Sequence, residues 1–197
     1  MRGENEHERP LRERKKRRTR LAIHDAAQRL VEANGLEATT VESICELAEV
    51  SPRTFFNYFP SKAAATLGLP EAVISAAAVE RYRAARGPLV PALCRLLAES
   101  ADGEVDHLAA KRLMLAVPEL GPAFTQWMSA VRAEFVALAQ ERADSPERGT
   151  AAVALVMGAL SLSVHDPAQT RAPGAEQLMA AVDRLAAAHG AMLAERD

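Results

Sequence analysis

The sequence has few aromatic residues, few cysteines and little net charge. Of its 197 residues, 4% are aromatic and two are cysteines, and the formal net charge is −2. Two cysteines are too few for a disulfide framework, which fits a reducing cytoplasm. No apolar run reaches the roughly 18 residues of a membrane span, and the charged N-terminal segment lacks the apolar stretch of a secretory signal. We therefore expect a cytoplasmic globular protein with no membrane partner.

Motifs for catalysis and metal binding are also missing. There is no nucleophile elbow, no glycine-rich phosphate loop and no zinc-protease motif. The five histidines are scattered and the two cysteines are far apart, so neither set has the spacing of metal ligands. The sequence thus predicts a protein that is not an enzyme, with no catalytic residues, no metal and no cofactor.

The near-neutral average hides an uneven distribution of charge. Residues 1–62 contain 12 Lys/Arg and 10 Asp/Glu, whereas residues 63–197 contain 12 and 16. Residues 9–20 alone contain eight bases and one acid. Such a block either binds phosphates or is a solvated tail that aids solubility. On the first interpretation residues 1–13 are a disordered basic arm, and the candidate DNA-binding residues nearest to it are Arg17, Arg18 and Arg20.

The local patterns favour an all-α protein. The second half is rich in alanine, and neither strand alternation nor a hairpin signal is present. A first helix is predicted from Arg14 to Asn34, with apolar residues such as Ile23 and Ala27 at helical spacing and Gly35 just after its end.

Two short helices follow at close spacing. Thr39 and Glu42 form a predicted capping box that opens the second helix. Ser51 and Pro52 are suited to the N-cap and the first position of a third helix, three residues after the second one ends. Two short helices joined by so tight a turn are typical of a helix-turn-helix, whose second helix enters the major groove of DNA.

The third predicted helix has two faces. Phe55 and Phe59 are four residues apart and are expected to pack inward, while Phe56 lies between the faces and is ambiguous. The outward residues are Arg53, Thr54, Asn57 and Tyr58. Arginine can read guanine, asparagine can read adenine, and a threonine methyl can contact thymine. The alternative is a small aromatic core whose polar neighbours only face solvent.

Lys62 favours the DNA-binding interpretation. It lies in the first turn of a fourth helix capped by Ser61, where the helix dipole disfavours a cation by about 0.3–1 kcal/mol. A bound phosphate would remove that conflict. On this interpretation Lys62→Ala weakens binding to all DNA sequences alike.

These residues resemble a known family. The segments Ile23-x-x-Ala26-Ala27-x-x-Leu30, Gly35, Thr39-Thr40-Val41-x-x-Ile44 and VSPRTFFNYFPSK, which ends at Lys62, are similar to the TetR family of bacterial transcriptional regulators. The resemblance implies a homodimeric repressor that a small-molecule ligand releases from a pseudopalindromic operator. It also implies DNA contacts at Thr40, Ser51, Arg53, Thr54, Asn57, Tyr58 and Lys62. Cys45 departs from the usual alanine and is expected to pack in the core.

The chain is therefore divided into a helix-turn-helix domain over residues 14–67 and a helical ligand-binding and dimerisation domain over residues 68–197. Further helices are predicted over residues 70–86, 88–100, 105–117, 122–143, 146–165 and 174–196. Bulky and polar residues of the middle helices are candidates for contacting a small-molecule effector in a mostly apolar pocket. They are His107, Arg112, Met114, Phe124, Trp127, Met128 and Phe135.

The last two predicted helices carry apolar stripes at helical spacing. The stripe residues are Val153, Met157, Leu160, Val164, Leu178, Val182, Leu185 and His189. They would form a four-helix bundle between two subunits, or bury against the core of their own chain. The family resemblance favours the dimer. Two other functions stay open at this point: a helical protein-interaction module, and a DNA-binding regulator or activator that needs no ligand.

Overall fold

Every regular element of the structure is helical in the part of the chain that it describes. This computed structural model describes residues 8–69, 74–101, 107–164, 166 and 172–194. The all-α prediction is confirmed. The helices are α1 (Glu8–Ala38), α2 (Val41–Leu47), α3 (Pro52–Phe56), α4 (Lys62–Leu67), α5 (Ala76–Ala84), α6 (Leu89–Ala101), α7 (His107–Ala116), α8 (Gly121–Gln140), α9 (Pro146–Val164) and α10 (Ala175–Ala194), with one 3-10 turn at Pro118–Leu120.

The chain divides into two compact units. The first unit comprises the chain up to Glu71 together with Arg112–Thr125, and the second comprises Ala72–Lys111 and Gln126–Asp197. Helices α7 and α8 each contribute to both units. The stretch Arg112–Thr125, which the sequence placed in the C-terminal domain, therefore packs with the helix-turn-helix unit.

Helix α1 is longer than predicted. It begins at Glu8 instead of Arg14, and its helical path is interrupted at Gly35, where φ is 80°. Glutamate, arginine and leucine in the added turns favour helix, and Pro10 lies in the first turn, where its missing N–H costs nothing. The expectation of a disordered arm is thus corrected for residues 8–13, while residues 1–7 lie outside the described part of the chain.

The core of the first unit forms where the sequence places it. Ile23 and Ala27 of α1 are fully buried, as are Ile44 of α2 and Phe55 of α3, and Val31 of α1 is almost so. Burial of these side chains stabilises the three short helices α2, α3 and α4, which are too short to be stable alone.

The start of α2 differs from the prediction by one residue. Thr40 is the N-cap: its hydroxyl accepts a hydrogen bond from the Ser43 N–H at 3.1 Å, and its own N–H donates to the Ser43 hydroxyl at 3.2 Å. The predicted box of Thr39 and Glu42 is therefore wrong. Thr39 is buried, and its hydroxyl donates to the Gly35 carbonyl at 2.8 Å, so it is not available to cap the helix.

The second unit is built around α6, α8, α9 and α10, whose core includes the fully buried Leu93, Phe135, Val156 and Leu178. Helix α5 begins at Ala76 and not near residue 70, because the Ser75 hydroxyl accepts from the Ala78 N–H at 3.2 Å and caps the helix. Pro70, at which the sequence predicts that this helix begins, lies outside the described residues.

Helix α9 is long and apolar enough to cross a membrane. It has 19 residues and a mean hydropathy of 1.2, and among the described residues it is the one helix that meets both criteria. This is weak evidence for a span, since core helices pass the same test. Seven α9 residues, including Val153 and Ala159, are buried in the second unit, which accounts for the composition.

Candidate nucleic-acid interface

The helix-turn-helix is formed by α2, the turn that follows it and α3. Ser51 caps α3, since its hydroxyl accepts from the Thr54 N–H at 3.1 Å, and Pro52 occupies the first helical turn. The cap predicted at Ser51 is confirmed. Glu49 in the turn has a φ of 54°, a left-handed conformation that lets the chain reverse between the two helices.

The aromatic residues separate into an inner and an outer set. Phe55 and Phe59 are buried, as predicted from their spacing. Phe56, which the sequence left ambiguous, is 55% exposed and packs its ring edge-to-face on Phe55 at a centroid distance of 5.2 Å. Helix α3 therefore presents an aromatic ring outward together with polar groups.

Most of the predicted DNA-contacting side chains on α2 and α3 reach the surface. Arg53 and Asn57 are exposed, and Thr54 and Tyr58 are half-buried beside them. Thr40 and Ser51 are also exposed, at the N-terminal ends of the two helices. These end positions bring the two hydroxyls to the surface while they cap their helices. Contact of these six side chains with DNA stays a prediction.

The basic residues of α1 do not share one environment. Arg17 and Arg18 are exposed on the helix. Arg20 instead turns inward: its Nη2 donates to the Gly68 carbonyl at 2.6 Å, and its guanidinium lies 5.6 Å from the centroid of the Phe59 ring. Arg20 therefore contacts the protein itself, in contrast to the phosphate contact proposed from the charge run.

Lys62 also makes internal hydrogen bonds. Its Nζ donates to the carbonyl of Thr39 at 2.7 Å and to that of Glu37 at 3.3 Å. Two backbone carbonyls therefore offset the conflict with the helix dipole that the sequence assigned to a bound phosphate, and contact of Lys62 with DNA stays a prediction. Ser61 caps α4 as predicted, with the Ala64 N–H donating to its hydroxyl at 3.1 Å.

His24 of this region was missed at the sequence level, where no pattern singles it out. Its Nδ1 lies 2.8 Å from the Ala65 carbonyl oxygen. Gly68, a glycine after an apolar run, ends α4 with a φ of 67°. A Cβ added to Gly68 would lie 3.2 Å from the His24 ring.

The helix-turn-helix segment is similar to known proteins. Residues 23–64 match the family model described as bacterial regulatory proteins, tetR family. The chain is 40% identical over 121 residues to the HTH-type transcriptional regulator TcmR of Streptomyces glaucescens, over 56% of this chain and 54% of that protein. The chain thus spans about half the length of this curated relative.

A solved structure is also similar to this chain. It is the crystal structure of the multidrug binding protein EbrR complexed with imidazole, at a TM-score of 0.42 and 23% sequence identity. The match covers 84% of this chain and 93% of that one.

The two cysteines are buried, and the pKa values of both thiols are raised. Cys45 is buried, and burial followed by the nearby charge of Glu42 raises the pKa of its thiol. Burial raises the pKa of Cys94 to about 11, opposed only in part by Arg95. Both cysteines are free and buried. The expectation that Cys45 packs in the core is confirmed.

The candidate effector-binding residues are divided between the two units. In the first unit Arg112 is exposed and Met114 and Phe124 are half-buried. In the second, Trp127 and Met128 pack partly buried against the core. Phe135 is fully buried in that core, so packing accounts for it and it is not accessible to a ligand. His107 begins α7, and its side chain lies outside what the structure describes.

The second unit has a small cleft between α5 and α6. Its volume is about 140 Å³, and the Arg81 guanidinium donates to Glu99 across it at 2.9 Å. None of the candidate effector-binding residues lines it. Pockets for drug-sized ligands are usually about 300–1,000 Å³, so this cleft is too small to hold such a ligand without opening.

Four of the eight residues in the apolar stripes predicted to form the dimer interface belong to the core of the second unit. Val153, Met157, Leu178 and Val182 are buried within their own unit, which corrects their assignment to an intersubunit surface. Leu160, Val164 and Leu185 are half-buried and His189 is exposed. The large apolar side chains that α9 and α10 leave exposed are Leu162, Met192 and Leu193.

No cluster of metal ligands is found in the described ranges. Among those residues, no three of His, Cys, Asp or Glu lie close enough together to hold a metal ion. The candidate interface consists of arginine, asparagine, hydroxyl and aromatic groups on the helix-turn-helix.

Proposed function

We propose that this chain is a cytoplasmic transcriptional regulator that binds a pseudopalindromic DNA operator as a homodimeric repressor. The observation that carries the proposal is the outward surface of α3 and its C-cap, where Arg53 and Asn57 are exposed and the helix is fixed by the Ser51 cap and by the buried Phe55. A short, rigid helix with such a face suits the major groove.

Each exposed group has a specific role in this proposal. Arg53 donates two hydrogen bonds to a guanine edge, and Asn57 pairs with an adenine edge. The hydroxyls of Thr40, Ser51 and Tyr58 contact phosphates, which position the protein without reading sequence. Arg17 and Arg18 add charge contacts to phosphates from α1, and the Thr54 methyl contacts a thymine methyl.

The homodimer follows from the geometry of operators. Two recognition helices must lie about 34–36 Å apart to read successive major grooves. The exposed Leu162, Met192 and Leu193 of α9 and α10 support a subunit interface there. The half-buried Leu160, Val164 and Leu185 would be covered together with them.

Release by a small molecule completes the proposal. An effector can dissociate the repressor only if it binds the DNA-free conformation more tightly than the DNA-bound one. The similarity of residues 23–64 to the tetR family and the half-buried Trp127 and Met128 support a ligand contact in the second unit.

The decisive experiment is binding of the purified protein to sheared genomic DNA, followed by sequencing of the retained fragments. We expect a pseudopalindrome whose affinity falls steeply with salt, by about 0.9 in the log–log slope for each phosphate contacted. A helical protein-interaction module would retain no DNA at any salt concentration. Compounds handled by the products of genes beside the recovered site are then titrated into the complex. Absence of release by all of them would indicate a ligand-independent regulator.

Substitution of the reading residues tests their roles. Arg53→Ala and Asn57→Ala should each weaken operator binding by about 1–3 kcal/mol and relax the preference at one base pair. Affinity for a panel of single-base operator variants measures this. Arg29→Ala, which removes an exposed arginine from α1, is the control and should leave the base preferences unchanged. Equal losses on every operator variant would contradict base reading by Arg53 and Asn57.

A further inference from the structure

Two basic side chains of the first unit donate to the protein's own backbone. The Lys62 ammonium on the first residue of α4 donates to the carbonyl of Thr39 at 2.7 Å and to that of Glu37 at 3.3 Å. Thr39 directly precedes Thr40, the N-cap of α2. Lys62 therefore holds the residue that precedes the N-cap of α2.

Arg20 contacts the C-terminal end of α4, the helix that begins at Lys62. Its Nη2 donates at 2.6 Å to the carbonyl of Gly68, the C-cap of α4. Its guanidinium also lies against the ring of Phe59, which is buried between α3 and α4 in the chain. Arg20 thus contacts the segment in which α3 ends and the residue at which α4 ends.

The two basic residues contact the chain at both ends of the helix-turn-helix. Lys62 contacts Thr39, just before α2, and Arg20 contacts Phe59, just after α3. Helix α4 connects the two contacts, since it begins at Lys62 and its C-cap is Gly68. The hydrogen bonds of Lys62 and Arg20 come from charged donors, which form stronger hydrogen bonds to a carbonyl than neutral donors do. A third contact joins α1 to α4, because His24 Nδ1 lies 2.8 Å from the Ala65 carbonyl oxygen.

We propose that Arg20 and Lys62 are positioning residues that align α2 and α3 for operator recognition. This inference rests on the proposed DNA-binding function. It differs from the role that the charge pattern predicts for them, which is direct contact with phosphates. Arg20 and Lys62 act through the carbonyls of Gly68, Thr39 and Glu37, so their effect reaches DNA through the alignment of Arg53 and Asn57.

The two roles differ in what they do to affinity. A phosphate contact strengthens binding to every sequence and adds about 0.9 to the salt slope. A positioning residue strengthens only the complex in which base edges are read, because misaligned reading residues can still leave phosphate contacts intact. Specificity and salt slope together therefore separate the two.

The test uses Lys62→Met and Arg20→Met, which remove charge and donors but keep an apolar stem. Affinity is measured for the operator recovered from genomic DNA and for a random duplex of equal length, over a salt series. We expect operator affinity to fall about tenfold or more, random affinity to stay within about twofold and the salt slope to be unchanged. Lys62→Arg, which retains the charge and the donors, should restore most of the operator affinity.

Arg17→Met is the matched control, since Arg17 is exposed on the same helix as Arg20. It should weaken binding to both duplexes alike and lower the slope by about 0.9. If Lys62→Met and Arg20→Met behave like Arg17→Met, they are phosphate contacts and the proposal is overturned. Unchanged affinity for both duplexes also overturns it.

Amide hydrogen exchange without DNA provides a second measurement on the same variants. Lys62→Met should accelerate exchange at Ile44, whose N–H donates to the Thr40 carbonyl at 3.2 Å in the first turn of α2. Arg20→Met should accelerate it at Leu69, whose N–H donates to the Ala64 carbonyl at 2.9 Å. Exchange at the wild-type rate in both would overturn the positioning role. If the wild-type protein retains no genomic DNA, the proposed function fails, and the exchange rates still decide whether the contacts order α2 and α4.

Discussion

At the scale of single residues, Arg17 and Arg20 show that the direction of a basic side chain on a helix decides whether it faces solvent or contacts the protein. Both belong to the same basic run, yet Arg17 is exposed and Arg20 donates to the Gly68 carbonyl. Residues four apart share a helix face, and Arg20 is followed at that spacing by His24, which also contacts the end of α4. The charge run was visible in the sequence. The inward direction of one of its members required the position of α4.

The cysteines give a prediction about reactivity and pH. Burial raises the pKa of Cys94 from 9.0 to about 11, so its thiol keeps its proton in the folded protein at pH values where an unfolded thiol ionises. The stability that this contributes is fully present below pH 9.0 and is lost as pH rises towards about 11. At about pH 8 we expect slow reaction of the folded protein with a disulfide reagent and fast reaction of both thiols in denaturant.

The Cys45→Ala variant assigns the remaining signal to Cys94, and Cys94→Ala assigns it to Cys45. A fast reaction of one thiol in the folded protein would show that its site opens to solvent.

At the scale of elements, caps were predictable where the sequence offers one candidate. Ser51 and Ser61 each stand alone before their helices, and both caps are confirmed. Before α2 the chain has two consecutive threonines, and local sequence does not choose between them. Tertiary packing chooses, because Thr39 is buried and donates to Gly35. The ends of the helices were accordingly less predictable than their existence.

Gly68 provides the element-scale prediction. Its φ of 67° is costly for a residue with a Cβ, and the added carbon would press on the His24 ring. Gly68→Ala should lower the free energy of unfolding by about 1–2 kcal/mol. Urea denaturation measures the change as a lower midpoint.

Gly190→Ala is the contrasting variant. Gly190 lies inside α10 with nothing within 4 Å of an added Cβ, and alanine should stabilise the helix by about 0.5–1 kcal/mol. An unchanged midpoint for Gly68→Ala would show that α4 ends differently in solution and that the contact with His24 is dispensable.

At the scale of the whole molecule, periodicity located the apolar stripes of α9 and α10 but not their partners. Val153 and Leu178 repeat at the spacing expected of either a dimer seam or a core, and both are core. The extent of the two units could not be predicted from the sequence either. That Arg112–Thr125 joins the first unit depends on contacts distant in sequence, which a periodic pattern does not encode.

The dimer gives the prediction at this scale. Leu162→Glu and Met192→Glu place carboxylates on the apolar positions that α9 and α10 leave exposed, and an intersubunit interface would have to bury them at high cost. Light scattering on a sizing column should show the wild-type protein as a dimer and both variants shifted to monomer. Leu115→Glu, at a residue 76% exposed in the first unit, should remain dimeric. A wild-type monomer, or dimers in every variant, would contradict this interface.

In the proposed complex with DNA, the length of helix α1 affects the free-energy cost of binding. From Glu8 to the residue before Gly35 it is an uninterrupted rod, about 40 Å long at the rise of an α-helix. Ordering a flexible arm on a polyanion would cost about 1–2 kcal/mol of backbone entropy per residue. Folding of the rod has already fixed that backbone. The charges of Arg17 and Arg18 are therefore preorganised, and their attraction for phosphate is available to the association without an ordering penalty.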